Sequence, residues 1–279
     1  MRLLLLLLFL FAAPVAAQTD CAAGPAPAAA SNADSFETLA WAPFKRPETG
    51  WAIYANKIAA EIGTSCAADT PGFAAALARW QAANKLAPTG VFDLPGFAVM
   101  KTKWTLARPF ARLRRGGACP EPPDASRLAT ARPAESYGGQ SIQQRADALA
   151  AYRRMIASAR ASLPPGGDPN WFTIFSGFRL PLDDDVRCII DNNCYGVVRA
   201  NCSAHRTGLA FDLHVGAAAG FGPESSDNSN RRFMTRTLAY RWLISNAARF
   251  GFVNYVFEPW HWEWSPPSTS KATPGKTPA

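Results

Sequence analysis

The amino-acid sequence predicts an α+β protein, in which a domain with a mainly antiparallel sheet follows a small domain of three helices. Two observations lead to this prediction. In residues 138–265 the strand and helix patterns do not alternate strictly, which disfavours a parallel, doubly wound sheet. In residues 51–108 the apolar residues recur instead at helical spacing. A length of 279 residues is enough for two such domains.

The first residues of the chain have the pattern of a cleaved signal peptide. Arg2 is followed by an apolar run over residues 3–11 and by small residues up to Ala17. The run is too short to span a membrane comfortably, since a span needs about 20 apolar residues. Polar residues precede Cys21, which argues against a lipid-anchored cysteine. We therefore predict a periplasmic or secreted protein without membrane attachment once residues 1–17 are removed.

Two linkers are expected to flank the helical domain. Residues 18–50 are rich in Ala, Pro and Ser and are typical of a tether. Residues 109–137 are rich in Pro and Arg and predict a second linker. Apolar residues mark the three helices between them: Trp51, Ile53, Ile58 and Ile62 the first, Phe73, Leu77 and Trp80 the second, and residues 97–104 the third.

The C-terminal domain is expected to mix helices with short strands. An amphipathic pattern predicts a helix over residues 142–162, and the tail 266–279 has the composition of a disordered segment. The other expected elements are a strand at 173–178, a strand that carries Asp212, a helix near 232–250, and strands around 253–257 and 260–264. In the last of these, Trp260, Trp262 and Trp264 would share one face, which favours core packing.

The charge of the chain favours an anionic surface as its environment. The formal net charge is +8, and it becomes +7 when Arg2 leaves with the signal peptide (28 basic minus 21 acidic residues). A basic exported protein is attracted to an anionic cell wall. The basic residues are dispersed and form no recognition motif, which argues against nucleic-acid binding.

The cysteines predict disulfides. There are six, an even count in a chain with an export signal. Cys188 and Cys194 are close enough in sequence to pair with each other. Cys202 neighbours the segment that begins at Ser203, so a bridge there would stiffen that segment. The alternative, zinc bound by thiolates, is disfavoured because no C-x-x-C pair occurs.

Two distant segments predict a metal site. The chain has only three histidines. One of them, His205, lies seven residues before Asp212, and another, His261, lies three residues after Glu258. A mononuclear zinc hydrolase needs about three N or O ligands, one open position for water, and a carboxylate that is not a ligand. Asp212 lies in an apolar run, where a lone carboxylate is costly unless it is paired or bound to metal. Pro259 biases Glu258 toward an extended conformation beside the metal.

Two neighbours of these residues have less certain roles. His214 would point to the same face of a strand as Asp212, as a hydrogen-bond donor to the site or as a satisfied strand histidine. Glu263 would share a face with His261 and is therefore a candidate partner of that imidazole.

These segments carry a resemblance to a known family. Residues 203–212 read Ser-x-His-x-x-Gly-x-Ala-x-Asp, and residues 258–261 read Glu-Pro-Trp-His. With Ser-Gly-Phe-Arg at 176–179 and the helical segment 242–252, the chain resembles the VanY/VanX-type D-alanyl-D-alanine carboxypeptidases (peptidase family M15) over residues 142–265. Residues 79–91 resemble, more loosely, the peptidoglycan-binding domain that accompanies many wall hydrolases.

The resemblance implies a role for each matching residue. It implies zinc on His205, Asp212 and His261, with Glu258 as the general base. Arg179 would stabilise the oxyanion or grip the substrate, because a guanidinium stays charged and forks. It also implies that Ser203 hydrogen-bonds the substrate. A structural salt bridge of Arg179 with one of the aspartates at 183–185 is the alternative, since the chain departs from the family pattern there.

The leading hypothesis is thus an exported zinc peptidase that acts on peptidoglycan stem peptides, as a D,D-carboxypeptidase. An L,D- or D,D-endopeptidase is the alternative within the same class. A wall-binding protein that keeps zinc structurally is the alternative from a different class, and Glu258 argues for the enzyme because a structural site has no need of a base.

Overall fold

The computed structural model of the protein describes residues 20–190, 192, 194 and 201–265. The expected signal peptide (1–17) and tail (266–279) lie outside these residues. The described chain mixes helices with small antiparallel sheets, in agreement with the predicted α+β class. The helices are α1 Ala26–Phe36, α2 Ala55–Ile62, α3 Pro71–Ala83, α4 Leu94–Ala107, α5 Pro109–Leu113, α6 Ala146–Ser162, α7 Pro181–Ile190, α8 Asn228–Arg236 and α9 Leu238–Asn246. The strands are β1 Ala40–Trp41, β2 Glu48–Thr49, β3 Leu128–Thr130, β4 Gln143–Arg145, β5 Ile174–Ser176, β6 Ala210–Leu213, β7 Phe252–Asn254 and β8 His261–Trp264.

The segment expected to be a tether, 18–50, is folded over its described part. It forms α1 and the β1–β2 pair, and Cys21 is bonded to Cys66. Its alanines favour helix, so the same composition that suggests a linker also suits a helix with a packing partner. Asn32 provides part of that packing: its buried amide donates to Gly90 O and accepts from Phe92 N–H. The prediction of a linker is therefore wrong for these residues.

Three helices, α2, α3 and α4, lie in the segment where the sequence predicts three. Side chains cap the last two, because Thr70 accepts from Phe73 N–H and Asp93 accepts from Gly96 N–H. The apolar faces of these helices and of α1 pack together in one core. Its aromatic residues include Trp41, Trp51, Tyr54, Phe73, Phe92 and Phe97.

The segment 109–137 makes defined contacts in place of the expected linker. It contains α5 and β3, and β3 pairs with β4 in an antiparallel register. A disulfide joins Cys119 to Cys202. The prediction of a linker is therefore wrong for this segment. Its composition does not reveal these contacts, because their partners lie elsewhere in the sequence.

The larger sheet has the strand order β5-β6-β8-β7 and is antiparallel throughout. It packs against α6 and α9 through a core that includes Tyr152, Phe211 and Trp262. The register places Asp212 opposite His261 on neighbouring strands. Two side chains from distant parts of the chain are thereby held side by side.

The helix expected near 232–250 is broken into α8 and α9. Thr237 separates them, and its hydroxyl accepts from Tyr240 N–H as the N-cap of α9. A short 3-10 helix, Ala247–Phe250, then ends at Gly251, whose φ of 87° suits glycine.

The disulfide prediction is confirmed. All six cysteines are paired, and Cys188 is bonded to Cys194, which their short spacing in the sequence allows. Thiolate ligation of zinc is thereby ruled out. Within the described ranges, none of the helices has the length and hydrophobicity needed to cross a membrane.

Candidate metal centre

Hydrogen bonds hold both the backbone and the imidazole of His205. It lies in the 3-10 helix Ala204–Thr207, where the Ser203 hydroxyl accepts from His205 N–H at 3.2 Å. Gly208 ends this helix with a φ of 66°, a conformation that glycine adopts without strain. His205 Nδ1 lies 2.7 Å from Gly177 O and must donate to it. Its Nε2 therefore carries a lone pair and faces Asp212 Oδ2 at 3.2 Å.

The other two residues of the cluster come from neighbouring strands. Asp212 is on β6 and His261 on β8, and His261 Nδ1 lies 2.9 Å from Asp212 Oδ1. His261 Nε2 faces Glu263 Oε1 at 3.4 Å, which agrees with the candidate role of Glu263 as its partner. The two imidazoles thus turn different nitrogens toward the same carboxylate.

This arrangement fits a metal ion. One ligand atom from each of His205, Asp212 and His261 lies within 4.8 Å of the others, and all three side chains are buried. Two imidazoles and a carboxylate are a donor set that suits zinc, with room for a fourth ligand. The sequence predicted these three residues as metal ligands, and the fold brings them together.

Glu258 lies at the edge of the cluster. It sits in the loop between β7 and β8, where its backbone N–H bonds Tyr255 O and its carbonyl accepts from His261 N–H. Its Oε2 is 3.7 Å from His261 Nδ1, and the residue is 7% exposed. Burial raises the pKa of Glu258 to about 7, against the opposing pull of His261. A carboxyl group with such a pKa can both accept and return a proton near neutral pH.

The electrostatics of the cluster differ for the two imidazoles. Burial, together with the charge of Arg179, lowers the pKa of His205, which keeps it neutral. Burial opposes protonation of His261 as well, but its hydrogen bonds with Asp212 and Glu263 prevail and raise its pKa to about 9. Burial opposes ionisation of Asp212 too, but the charge and hydrogen bond of His261 outweigh it, so the pKa of Asp212 lies well below the usual range. A divalent cation would take the place of the positive charge that His261 otherwise supplies.

Arg179 is held by three polar side chains. Its Nε donates to Asp184 Oδ1 at 2.8 Å, its Nη1 to Ser176 Oγ at 2.6 Å, and its Nη2 to Ser203 Oγ at 3.0 Å. The salt bridge considered from the sequence is therefore present. It does not remove Arg179 from the site, because the residue also lines the pocket that contains the cluster. Ser203 caps the His205 helix and accepts from Arg179 in the same place.

The pocket over the cluster has a volume of about 360 Å³. One wall comes from the end of α4 and from residues 108–114, all but the first of which lie in the predicted linker 109–137. Arg108, Phe110 and Arg114 of this wall were missed as site residues, as was Tyr255. No local pattern marks the first three, because their proximity to the cluster depends on contacts across about half of the chain, whereas Tyr255 is close to Glu258 in sequence.

His214 lies outside the cluster. Its backbone still pairs with the segment before β5, through His214 N–H to Thr173 O and Phe172 N–H to His214 O, but its side chain is not among the three that converge. Its ring stacks on Tyr137 with centroids 4.9 Å apart, and its Nδ1 is 3.7 Å from Asp168 Oδ2. Of the roles left open for His214, that of a buried strand-end histidine fits this placement.

Comparison with protein-family models finds no family that matches this chain, and a search among curated proteins finds no match.

Proposed function

We propose that the protein is an exported zinc-dependent peptidase that cleaves peptidoglycan stem peptides, acting as a D-alanyl-D-alanine carboxypeptidase. The observation that carries this proposal is the convergence of His205, Asp212 and His261, with the buried carboxylate of Glu258 beside this group. A purely structural metal site has no use for such a carboxylate. The resemblance of the same residues to the VanY/VanX-type enzymes supports the identity of the metal and of the bond.

The chemistry divides between the metal and the side chains of the chain. A zinc ion held by the three ligands would act as a Lewis acid and lower the pKa of a water molecule to roughly 7. Glu258 accepts a proton from the attacking water and returns it to the leaving amine, a role that typically contributes 10²–10⁴-fold to the rate. Arg179 presents a fixed positive charge to the oxyanion, because its contacts with Ser176, Asp184 and Ser203 fix the plane of its guanidinium.

Two properties of the whole chain support a substrate in the cell wall. The three disulfides suit an oxidising compartment outside the cytosol. The net charge of +8 favours attraction to an anionic polymer. Arg114 and Arg179 on the pocket wall favour a substrate that carries a carboxylate, as a stem peptide does.

Product analysis on defined muropeptides tests the proposal. The protein, loaded with zinc, is incubated with pentapeptide muropeptides that end in D-Ala-D-Ala and with cross-linked dimers, and the products are identified by mass. We expect release of free D-Ala. Cleaved cross-links or released L-Ala peptides would instead identify an endopeptidase. Zinc-loaded protein that releases no product from either substrate would favour the non-catalytic, zinc-stabilised wall-binding protein.

Removal of the metal should abolish the reaction. Dialysis against a chelator is expected to stop product release, and stoichiometric zinc should restore it, because the proposed chemistry requires a Lewis acid at the three ligands. Metal content is measured in parallel by elemental analysis. Full activity in protein shown to be metal-free would contradict the zinc proposal.

A further inference from the structure

Glu263 connects the candidate metal centre to the end of the helical segment. Its Oε2 accepts from Phe110 N–H at 2.9 Å, and its Oε1 accepts from Arg108 Nε at 2.7 Å. Arg108 Nη2 lies 2.5 Å from the same Oε1. The Glu263 side chain is only 1% exposed, so the compensation for its charge must come from protein groups such as Arg108, Phe110 N–H and His261.

Arg108 is itself fixed in this position. Its guanidinium lies over the ring of Tyr255, with 4.0 Å between Cζ and the ring centroid. The side chain is 14% exposed. Since the guanidinium is held by a ring on one side and by a carboxylate on the other, it defines where the Glu263 carboxylate can lie.

The position of Glu263 matters because of what its Oε1 faces. Nε2 of His261 lies 3.4 Å from this oxygen, and the opposite ring nitrogen, Nδ1, faces Asp212. A hydrogen on Nε2 can be donated to Glu263, which leaves the lone pair on Nδ1 for a metal. Carboxylates that hold a ligating histidine in this way fix its tautomer and ring orientation, and their loss typically costs about 10- to 100-fold in metal affinity.

We infer that Arg108 is a positioning residue of the metal centre: it holds Glu263, and Glu263 holds His261 in the ring orientation and tautomer that bind metal. The segment 108–110, which follows the helical region, is then part of the centre. This inference depends on the metal site of the proposed function and is independent of the bond that is cleaved.

Zinc affinity, measured by competition with a chromophoric chelator, tests this inference. Arg108→Gln leaves the buried Glu263 without its cation, so we expect about 10- to 100-fold weaker zinc binding. Arg108→Lys keeps the charge but loses the fork, and it should recover part of the affinity. Arg112→Ala is the matched control, because Arg112 lies on α5 and donates to Ser265 Oγ, two residues beyond Glu263. We expect zinc affinity within about twofold of the native protein for this control.

A double-mutant cycle shows whether Arg108 acts through Glu263. Glu263→Gln should weaken zinc binding by itself, and adding Arg108→Gln to it should have little further effect, because the carboxylate that Arg108 positions is gone. Additive effects of the two substitutions would overturn the inference. Native zinc affinity in folded Arg108→Gln protein would overturn it as well. If Arg108→Gln does not fold, Arg108→Lys and Glu263→Gln give the same comparison.

The imidazole of His261 offers a readout that a merely structural role would not change. In the zinc-loaded native protein, ¹⁵N NMR of the histidine rings should show one ring with its hydrogen on Nε2 and metal on Nδ1. In Arg108→Gln that Nε2 hydrogen should exchange faster with solvent, while the signals of His205 stay unchanged. An unaltered His261 signal would contradict the inference. Since none of these measurements uses hydrolysis, a protein that cleaves no wall peptide can still confirm or refute the role of Arg108.

Discussion

At the scale of single residues, the cluster depends on hydrogen bonds that select a tautomer for each imidazole. Gly177 O takes the Nδ1 hydrogen of His205, and Glu263 faces Nε2 of His261. The two remaining nitrogens, Nε2 of His205 and Nδ1 of His261, then face Asp212, and both would offer a lone pair to a bound cation. The sequence predicted which residues could bind metal, but the nitrogen that each histidine uses follows from acceptors that only the fold supplies.

Glu258 gives the sharpest prediction at this scale. Glu258→Ala should lower the hydrolysis rate by about 10²–10⁴-fold, because the group that moves the proton is removed. Zinc content should stay at the native level, since the three ligands are intact. Elemental analysis and product release are measured on the same sample. His205→Ala is the matching comparison and should lose zinc. Unchanged hydrolysis in Glu258→Ala would exclude Glu258 from the mechanism.

At the scale of elements, close approaches between segments position these side chains. Gly177 follows β5 and gives its carbonyl to His205. A Cβ on Gly177 would lie 2.5 Å from Ile142 Cγ2 and 2.6 Å from Gln143 O. Because the second of these atoms belongs to the backbone of β4, the clash cannot be relieved by a rotamer change.

Gly177→Ala should therefore destabilise the fold and displace His205. We expect a loss of about 1–3 kcal/mol in the free energy of unfolding, the range for overpacking of a tight site, together with weaker zinc binding. Urea unfolding and chelator competition measure the two effects. Gly116→Ala is the control, because a Cβ there meets nothing within 4 Å. Equal stability of the two variants would show that β4 yields to the added methyl group.

Glu61 joins the helices of the N-terminal region. It lies on α2 and accepts hydrogen bonds from Trp80 Nε1 on α3, from Trp104 Nε1 on α4, and from Lys103. Burial opposes ionisation of this carboxyl, but the three donors prevail, so the pKa of Glu61 is below its usual value. A carboxyl group with a lowered pKa in the folded state adds stability above its unfolded pKa, and that stability is lost as pH falls through the folded value.

Glu61→Gln should accordingly have a pH-dependent effect. At neutral pH we expect a loss of about 1.5 kcal/mol, a typical value for hydrogen bonds to a charged group. The difference from the native protein should shrink as pH falls below about 4.3, the ordinary pKa of glutamate. Urea unfolding at a series of pH values measures it. A difference that stays constant down to pH 2 would contradict the role of the charge.

At the scale of the whole molecule, a buried arginine joins the N-terminal region to the loop that carries Glu258. Arg231, on α8, is 0% exposed and donates to Glu48 Oε1 at 3.1 Å and to Tyr54 Oη at 2.8 Å. Its Nε donates to Phe257 O at 2.8 Å, and Cζ lies 4.1 Å from the centroid of the Phe257 ring. The residue next to Glu258 is thus fixed from the N-terminal half of the chain.

Arg231→Met should destabilise the whole protein. It leaves the buried Glu48 carboxylate without its cation, with only the Tyr54 hydroxyl still donating to it, and breaking a buried ion pair in this way typically costs about 3–5 kcal/mol in the free energy of unfolding. Arg232→Met is the control, because Arg232 lies on the same helix, is partly exposed and pairs with Glu37 at the surface, where a pair contributes about 1 kcal/mol or less. Denaturant unfolding measures the free energy of unfolding of both variants. Equal losses of this free energy would contradict the stabilising role of the buried Arg231 contacts.

The sequence by itself determined the α+β class, the presence of disulfides, and the side chains that can bind metal, because these follow from residue type and local spacing. The prediction of linkers at residues 20–50 and 109–137 was wrong. Their composition is typical of linkers, but they make contacts with residues that are distant in sequence. Only the tertiary structure decided that Arg108 meets Glu263 and that Arg231 meets Glu48. Such pairs are separated by more than 150 positions in the chain. Because a buried charge is costly without an opposite charge, each residue of such a pair requires the other. A local sequence pattern does not predict which residue that partner will be.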